Sequence, residues 1–464
     1  MAEKPLLIDA LLEKLAELGA EIERLKAENA ELRRRLEMNS QNSHKPPSSD
    51  GYRKKSVQPA FPKTDKRAAG GKTGHKGKTL RQVEKPDKVE LHLPKECAVC
   101  GRTITAEEKH TVVGKRQVFD LPEPRLEVWE HRLGRIECCG QVQCGKYPEY
   151  VTANVQYGPG VRALVTKLSV EHRMPLEQIS TLFTDLYHYE LNSETIETAL
   201  EQGHRLTAPL EATLIEQLKQ AEVAHFDETG LRVAGKLHWL HTAGNALYTH
   251  LFVHAKRGKK ALLSESSVLK DFTGHAIHDC WAAYFEFSRA KHGLCNAHLV
   301  RELHALVEEK SQWAETMRTF LLDLHGELQH YALSGQAAEM VRQRYRQILL
   351  QADQEEPPPQ MKAGKGRPKN SPGRNLLRRL QQHEEAVLAF ALVEGVPFTN
   401  NLAERDLRPA KVKQKVSGCF RTVQGAEVYA RLQAIISTCR KQGRNSFSTL
   451  RDIFAYQPVS LLAG

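Results

Sequence analysis

Nowhere in the 464 residues does an uninterrupted apolar stretch approach the ~20 positions needed to cross a bilayer, which argues against a membrane channel or carrier. The opening Met-Ala-Glu-Lys-Pro lacks the charged-then-apolar pattern of a secretory leader, so a cytoplasmic protein is expected. A disulfide framework is also missing. The nine cysteines are an odd number, and five of them crowd between Cys97 and Cys144, a clustering that fits a metal site in a reducing compartment. Acid is scarce where base is dense: residues 51–82 hold ten Lys/Arg against Asp65 alone. What is present is enough apolar material, 40% of the chain, for about three domains at ~150 residues each. The net charge of +11 points to polyanions, nucleic acid first and a membrane surface second.

Residues 8–38 carry a heptad. Leu11, Leu18, Leu25 and Leu32 share one repeat position, and Leu15, Ile22, Asn29 and Leu36 the other. Leucine at d with one asparagine at a favours a parallel two-stranded coiled coil, with Glu21 facing Lys26 and Glu28 facing Arg33 of a partner. The alternative is a single amphipathic helix packed on its own chain. After Met38 the polar, Pro-rich run Asn39–Asp50 cannot continue a helix. The basic arm that follows, with Lys54, Lys55, Lys72 and Lys76 among its cations, is expected to track DNA by displacing condensed counterions. A solvated linker is the plainer reading.

Cys97-Ala98-Val99-Cys100-Gly101 is a knuckle in which two thiolates can point at one ion, with Gly101 permitting the tight turn. Strand-like stretches at Thr111–Phe119 and Leu126–Arg132 lead to Cys138, Cys139 and Cys144. Neighbouring side chains on an extended strand project oppositely, so one of Cys138 and Cys139 is expected to join Cys144. The set Cys97, Cys100, Cys139 and Cys144 would then hold a structural Zn²⁺. Buried, unligated thiols are the alternative. Further on, Pro175 opens a helix over Leu176–Tyr189, and Ser193 is expected to cap a second over Glu194–His204. The pair is like a helix-turn-helix, yet Glu194, Glu197 and Glu201 would repel phosphate, so plain helix packing fits as well.

Val223–Gly230 reads as a strand ending in Asp227 and Glu228, with strands expected at Leu237–Thr242 and Leu247–His254 and a helix near Lys259–Lys270. A strand at His275–His278 ends at Asp279, and Glu404 lies at a helix start. Aspartates at two strand ends plus a helical glutamate can cage the Mg²⁺ (or Mn²⁺) ions, about 4 Å apart, that phosphodiester chemistry uses. Each acid has a local alternative: Asp227 capping a turn, Asp279 capping a helix, Glu404 closing a capping box with Asn401. Cys295-x-x-His298 follows another expected strand. As a single Cys/His pair it falls short of a structural metal site and reads as packing or DNA positioning.

His225-Phe226-Asp227-Glu228-Thr229-Gly230, His278–Tyr284, Leu294–Leu303, Asn400–Arg405 and Lys413–Arg421 resemble, in that order, the motifs of insertion sequence 66 family transposases. The likeness spans most of the chain and departs from the family at Cys138-Cys139. It implies a multi-domain protein of mixed α and β structure with a ribonuclease-H-like α/β core. Asp227, Asp279 and Glu404 would be the metal-binding catalytic acids of a DNA transposase that cuts element ends and joins them to target DNA. A non-catalytic, zinc-containing DNA-binding regulator and a nuclease without strand transfer are the alternatives. The implied organisation is a zipper at 1–38, a basic linker at 39–88, a zinc module at 89–150 and a helical region at 151–220. The catalytic domain covers 221–425 with a helical insertion at about 306–395, and a helical tail covers 426–464. Implied partners are transposon-end and target DNA, a second copy of the chain or a larger assembly, and accessory transposition proteins, in a nucleoid-associated setting. Lys362–Arg379 holds seven cations and no acid, and its Lys365-Gly366-Arg367-Pro368 is like a minor-groove hook. Arg405, Arg408, Lys411, Lys413 and Lys415 would hold the DNA backbone beside Glu404, the alternative being a solvated helix face.

Overall fold

The computed structural model describes residues 4–37, 79–105, 107–328, 331–359 and 369–462. The heptad segment forms one helix, α1 (Lys4–Glu37), as its continuous 3.6-residue periodicity requires. Its Leu15, Leu18, Ile22, Leu25, Leu32 and Leu36 are each at least half exposed. Within this helix Glu21 pairs with Arg24 and Lys26 with Glu23. No helix among the described residues is long and apolar enough to cross a membrane.

The stretches 111–119 and 126–132 form no strand. Alternating β-branched residues need a second layer to bury one face. Here Val112, Val113, Val118, Val128 and Trp129 are all exposed. The pairing falls just beyond, in a two-stranded hairpin of β1 (Arg135–Cys138) and β2 (Gln141–Cys144), turned through Cys139 and Gly140 at positive φ.

Next come α2 (Pro159–Thr166), α3 (Leu176–Tyr187), α4 (Ser193–Leu206) and α5 (Ala208–Lys219). The cap of α4 is Asn192, whose Oδ1 accepts the Thr195 N–H at 2.7 Å, and not Ser193. Val165, Ile179, Phe183, Leu191 and Ile196 form a small core within α2–α4, while Leu214 and Leu218 of α5 pack on the sheet.

The central sheet is mixed and five-stranded, in the order β5-β4-β3-β6-β7. Its strands are β3 (Val223–Val233), β4 (Lys236–Gly244), β5 (Thr249–His254), β6 (His275–His278) and β7 (Lys291–Leu294). The first three are antiparallel neighbours, whereas β6 and β7 run parallel to β3. Ala234 and Gly235, both at positive φ, supply the mirror-image turn that suits the twist of the β3–β4 hairpin. That hairpin carries β3 on to Val233, so Asp227 sits in mid-strand and not at a strand end. The helix expected over 259–270 shrinks to α6 (Lys259–Leu262) and a 3₁₀ turn at Leu269–Asp271, because Ser264 turns its hydroxyl back onto the Ala261 carbonyl.

Strand alternation divides β3 between two faces. Leu231 and Val233 pack with Leu407 and Ala410 on one. Ala224 and Phe226 pack with Leu214, Leu218 and Tyr284 on the other. Helices α7 (Asn296–Glu308), α8 (Gln312–Glu327), α9 (Gly335–Glu355), α10 (Pro372–Gln382) and α11 (Glu384–Leu392) form an apolar bundle against Ile277 and Leu294 of β6 and β7. After α12 (Asn401–Ser417), α13 (Val423–Lys441) and α14 (Ser446–Phe454) are core and not tail. Leu432, Ile435 and Ile436 of α13 are fully buried, and the helix runs across the expected boundary at 425.

Four buried histidines in the sheet, His225, His241, His250 and His278, carry a pH consequence. Burial holds His241 on β4 neutral, its pKa lowered to about 4, and lowers that of His250 on β5 as well. A base whose folded pKa is depressed contributes stability that is complete above its unfolded pKa of ~6.5 and is lost as pH falls toward the folded value. Linkage through His241 alone costs about 2 kcal/mol at pH 5 and about 3 kcal/mol at pH 4. Urea melts at pH 7 and pH 5 should therefore show a marked acid loss, reduced in His241→Gln; equal losses in both proteins would refute this account.

Candidate active site

Strand β6 pairs with β3 only over Val223–His225, then leaves it. The sheet therefore parts at the level of Asp227, and Asp279 is the residue immediately after β6. On the same face of β3, helix α12 begins at Asn401 and presents Glu404 in its first turn. All three acids are half-buried. Burial pushes the Asp227 carboxyl well above the usual carboxylate range, and the charges of Glu228, Asp279 and Glu404 push it further in the same direction. Asp279 and Glu404, like Glu228, thus lie near enough for their charges to act on Asp227.

Their local alternatives fare unequally. Asp227 Oδ1 accepts the Glu228 N–H at 2.8 Å within β3, and Asp279 Oδ1 accepts that of Trp281 at 3.1 Å in the turn after β6. The capping box does not form. The residue before α12 is Asn400, and its side chain is turned inward, where Nδ2 donates to the Phe226 carbonyl at 2.8 Å and Oδ1 meets His225 Nδ1 at 2.8 Å. With Nδ2 already donating, Oδ1 must accept, so the His225 proton sits on Nδ1. Burial keeps that ring neutral, with its pKa at about 4. The Asn400 N–H also donates to Cys295 Sγ at 3.1 Å. One buried asparagine thereby joins β3, the end of β7 and the start of α12.

Glu228 points to the opposite face of β3 and is buried. It accepts from Arg257 Nε at 2.6 Å and from the Tyr284 hydroxyl. Burial raises its carboxyl, and the Tyr284 and Arg257 contacts offset part of that rise. The Arg257 guanidinium lies 5.0 Å from the Trp239 ring centre and 4.3 Å from that of Trp281. Asn400, His225, Glu228 and Arg257 were missed as site residues in the sequence. The only signal was the Asn400-Asn401 doublet, one more polar residue than a helix start requires.

The basic residues divide. Lys411 Nζ donates to the Gly230 carbonyl at 2.6 Å. Lys413 Nζ donates to Ser169 O at 3.2 Å and sits 5.6 Å from the Tyr429 ring, and burial lowers its pKa to about 8. These two, expected to hold DNA, instead reach main-chain carbonyls of β3 and of the α2–α3 connection from different sides of α12. Arg405, Arg408 and Lys415 are exposed. Lys54, Lys55, Lys72, Lys76 and Arg367 lie outside the described residues.

The cysteine module departs from its expected form. The 97–101 knuckle closes as a turn, with the Gly101 N–H donating to Cys97 O at 2.9 Å and Gly101 at φ +72°. Backbone N–H groups of Cys100 and Val99 lower the Cys97 thiol. Cys139, however, is at the hairpin turn and Cys144 at the far end of β2, so at ~3.3 Å rise per residue they stand apart. Among the described residues, no three of the module's sulfurs lie within 4.8 Å of one another. This arrangement does not fit a single ion held by Cys97, Cys100, Cys139 and Cys144.

One compact set of donor atoms does exist, and it is a different one: Cys295, His298 and Glu404, each offering an atom within 4.8 Å of the others. The oxygens of Asp227, Asp279 and Glu404 are not so tightly grouped.

No curated protein matches the chain. Residues 1–81 match a family of unknown function, DUF6444. Residues 154–428, more than half of the chain and including all three acids, match the family described as Transposase IS66 family. The chain belongs to the IS66 transposase family.

Proposed function

We propose that the chain cuts DNA at the ends of its element by divalent-cation-assisted hydrolysis and joins the freed 3′-hydroxyls to target DNA, with Asp227, Asp279 and Glu404 as its catalytic acids. The observation that carries this is the mutual charge of three acids far apart along the chain, meeting where the sheet parts. A strand order with three antiparallel strands and two parallel to the first is the one expected of a ribonuclease-H-like core. The donor set fits Mg²⁺ or Mn²⁺: the acids offer oxygen only, and their repulsion is what a dication relieves. When bound, such ions activate the attacking oxygen and neutralise the leaving one. The chain's own work is to hold that charge in register. Asp227 is fixed by its strand, Asp279 by its turn and Glu404 by Asn400. Arg405, Arg408 and Lys415 supply phosphate contacts beside them.

In cleavage, water attacks phosphorus, the P–O3′ bond breaks, and the 3′-oxygen takes a proton. In joining, that hydroxyl gives up its proton and attacks a target phosphate, the target's own P–O3′ bond breaks and its 3′-oxygen takes the proton; one phosphodiester replaces another, so no external energy source is needed. The test is metal-dependent nicking of a duplex bearing the element's terminal sequence. Asp279→Asn and Glu404→Gln should bind it with near-normal affinity yet cut at least about 10³-fold more slowly. Normal cutting by either variant would exclude this assignment and leave a DNA-binding protein whose chemistry lies elsewhere.

The exposed leucines of α1 support a second element of the proposal, a parallel dimer through residues 8–38. Leu18→Asp with Leu25→Asp should convert the dimer to a monomer in sedimentation equilibrium. A dimer unchanged by both substitutions would place association on another surface.

A further inference from the structure

The residue pair set aside as packing in the sequence lies beside the candidate catalytic glutamate. Cys295 closes β7 and precedes α7, and the His298 N–H donates to the Cys295 carbonyl at 3.1 Å, which puts both side chains at the same helix start. Glu404 reaches them from the first turn of α12, held there by the Asn400 N–H on Cys295 Sγ at 3.1 Å. Cys295 is 1% exposed, whereas His298 and Glu404 are half-buried, so the cluster is closed behind and open in front. Sulfur, nitrogen and oxygen are the donors of zinc-class ions. Magnesium and calcium take oxygen almost alone. Ligands on bonds of ~2.0–2.3 Å at tetrahedral angles lie roughly 3.5 Å apart, so closing in from within 4.8 Å asks only a side-chain movement.

We propose that Cys295, His298 and Glu404 form a site for a zinc-class cation, with one position left for solvent or a phosphate oxygen, and that its occupation withdraws Glu404 from Asp227 and Asp279. The two kinds of ion would then compete for one carboxylate, and a thiophilic metal would switch the enzyme off. The binding part stands on the three ligands alone. The inhibitory part rests on the catalytic reading of Glu404 given above.

The probe is Co²⁺, whose thiolate charge-transfer band reports sulfur ligation directly. In the full chain carrying serine at 97, 100, 138, 139 and 144, all in the exposed module and none in a main core, titration should give that band at a single equivalent. Cys295→Ser should abolish it. His298→Ala and Glu404→Gln should weaken binding by more than the about 10- to 100-fold that an outer-shell change costs. No band, or a band that survives Cys295→Ser, would overturn the site. In the second arm, a single equivalent of Zn²⁺ should slow Mg²⁺-supported nicking by the parent at least about tenfold. For Cys295→Ser, compared with itself without zinc, the slowing should be much smaller; equal slowing overturns the competition. If the cobalt band behaves as expected while Glu404→Gln still cuts DNA, the site stands and the catalytic reading falls.

Discussion

Asp227→Asn should melt at a higher temperature than the parent protein in EDTA, while its strand cleavage falls at least about 10³-fold. The stability gain follows from the sign of the carboxyl's shift. Its folded pKa is raised, by burial first and by the Glu228, Asp279 and Glu404 charges next. A raised carboxyl stabilises the fold while protonated, below its unfolded value of ~3.8, and that contribution is lost as pH rises through the folded pKa. At neutral pH, holding this carboxyl in its buried, acid-lined place therefore weakens the fold. Asparagine is the uncharged shape of the same side chain, and its Oδ1 can still accept the Glu228 N–H. Mg²⁺ should raise the parent's melting temperature by binding the folded state only, and the asparagine variant should lose most of that response. A destabilised variant that still cuts and still responds to Mg²⁺ would show that Asp227 is a structural acid. Neutral-pH stability is thus given up here for a clustered charge, the pattern expected where fold and chemistry compete.

The parts of this site that the sequence made legible are those with a local signature. The strand at His275–His278 falls within its expected bounds, since a short apolar run ends in an acid and then in turn-forming residues. The break before Glu404 is readable from Thr399-Asn400-Asn401, polar residues that lead into α12. What stayed hidden depends on partners remote in the chain. The α13 helix shows little polar–apolar contrast around its axis, because it is covered on nearly all sides, and such a segment is not distinguishable from a terminal appendage by periodicity. Cys295 and His298 offered two ligands at helical spacing, and the third lies on another helix. Conversely, the β-branched stretches at 111–119 and 126–132 carry strand propensity with no layer to pack on, so propensity misled. The lysines of α12 read as one basic row, yet Lys411 and Lys413 reach carbonyls of neighbouring segments while Arg405, Arg408 and Lys415 stay exposed, a division set by what packs nearby and not by helix periodicity.

Asn400→Ala should lower the folding stability by about 2–6 kcal/mol and, well below its melting temperature, shift the Mg²⁺ dependence of cleavage to higher concentration. The side chain is 2% exposed, and truncating it leaves the Phe226 carbonyl and the His225 Nδ1–H without their partner in a dry interior. Each buried group so stranded costs about 1–3 kcal/mol. The larger consequence is positional. Asn400 ties the main chain of Phe226, next to Asp227, to the residue that starts the helix of Glu404, and loosening this tie frees the glutamate from the aspartate it must match. Catalytic constellations lose activity steeply with displacements of about 1 Å. A merely structural asparagine would lower the melting temperature and leave the Mg²⁺ midpoint of the surviving folded protein where it was. His225→Phe provides the control: it removes the ring's bond to Oδ1 but leaves the Nδ2 bond to Phe226 in place. It should cost stability with a smaller change in metal dependence, and the reverse ranking of the two variants would assign the positioning to His225 instead.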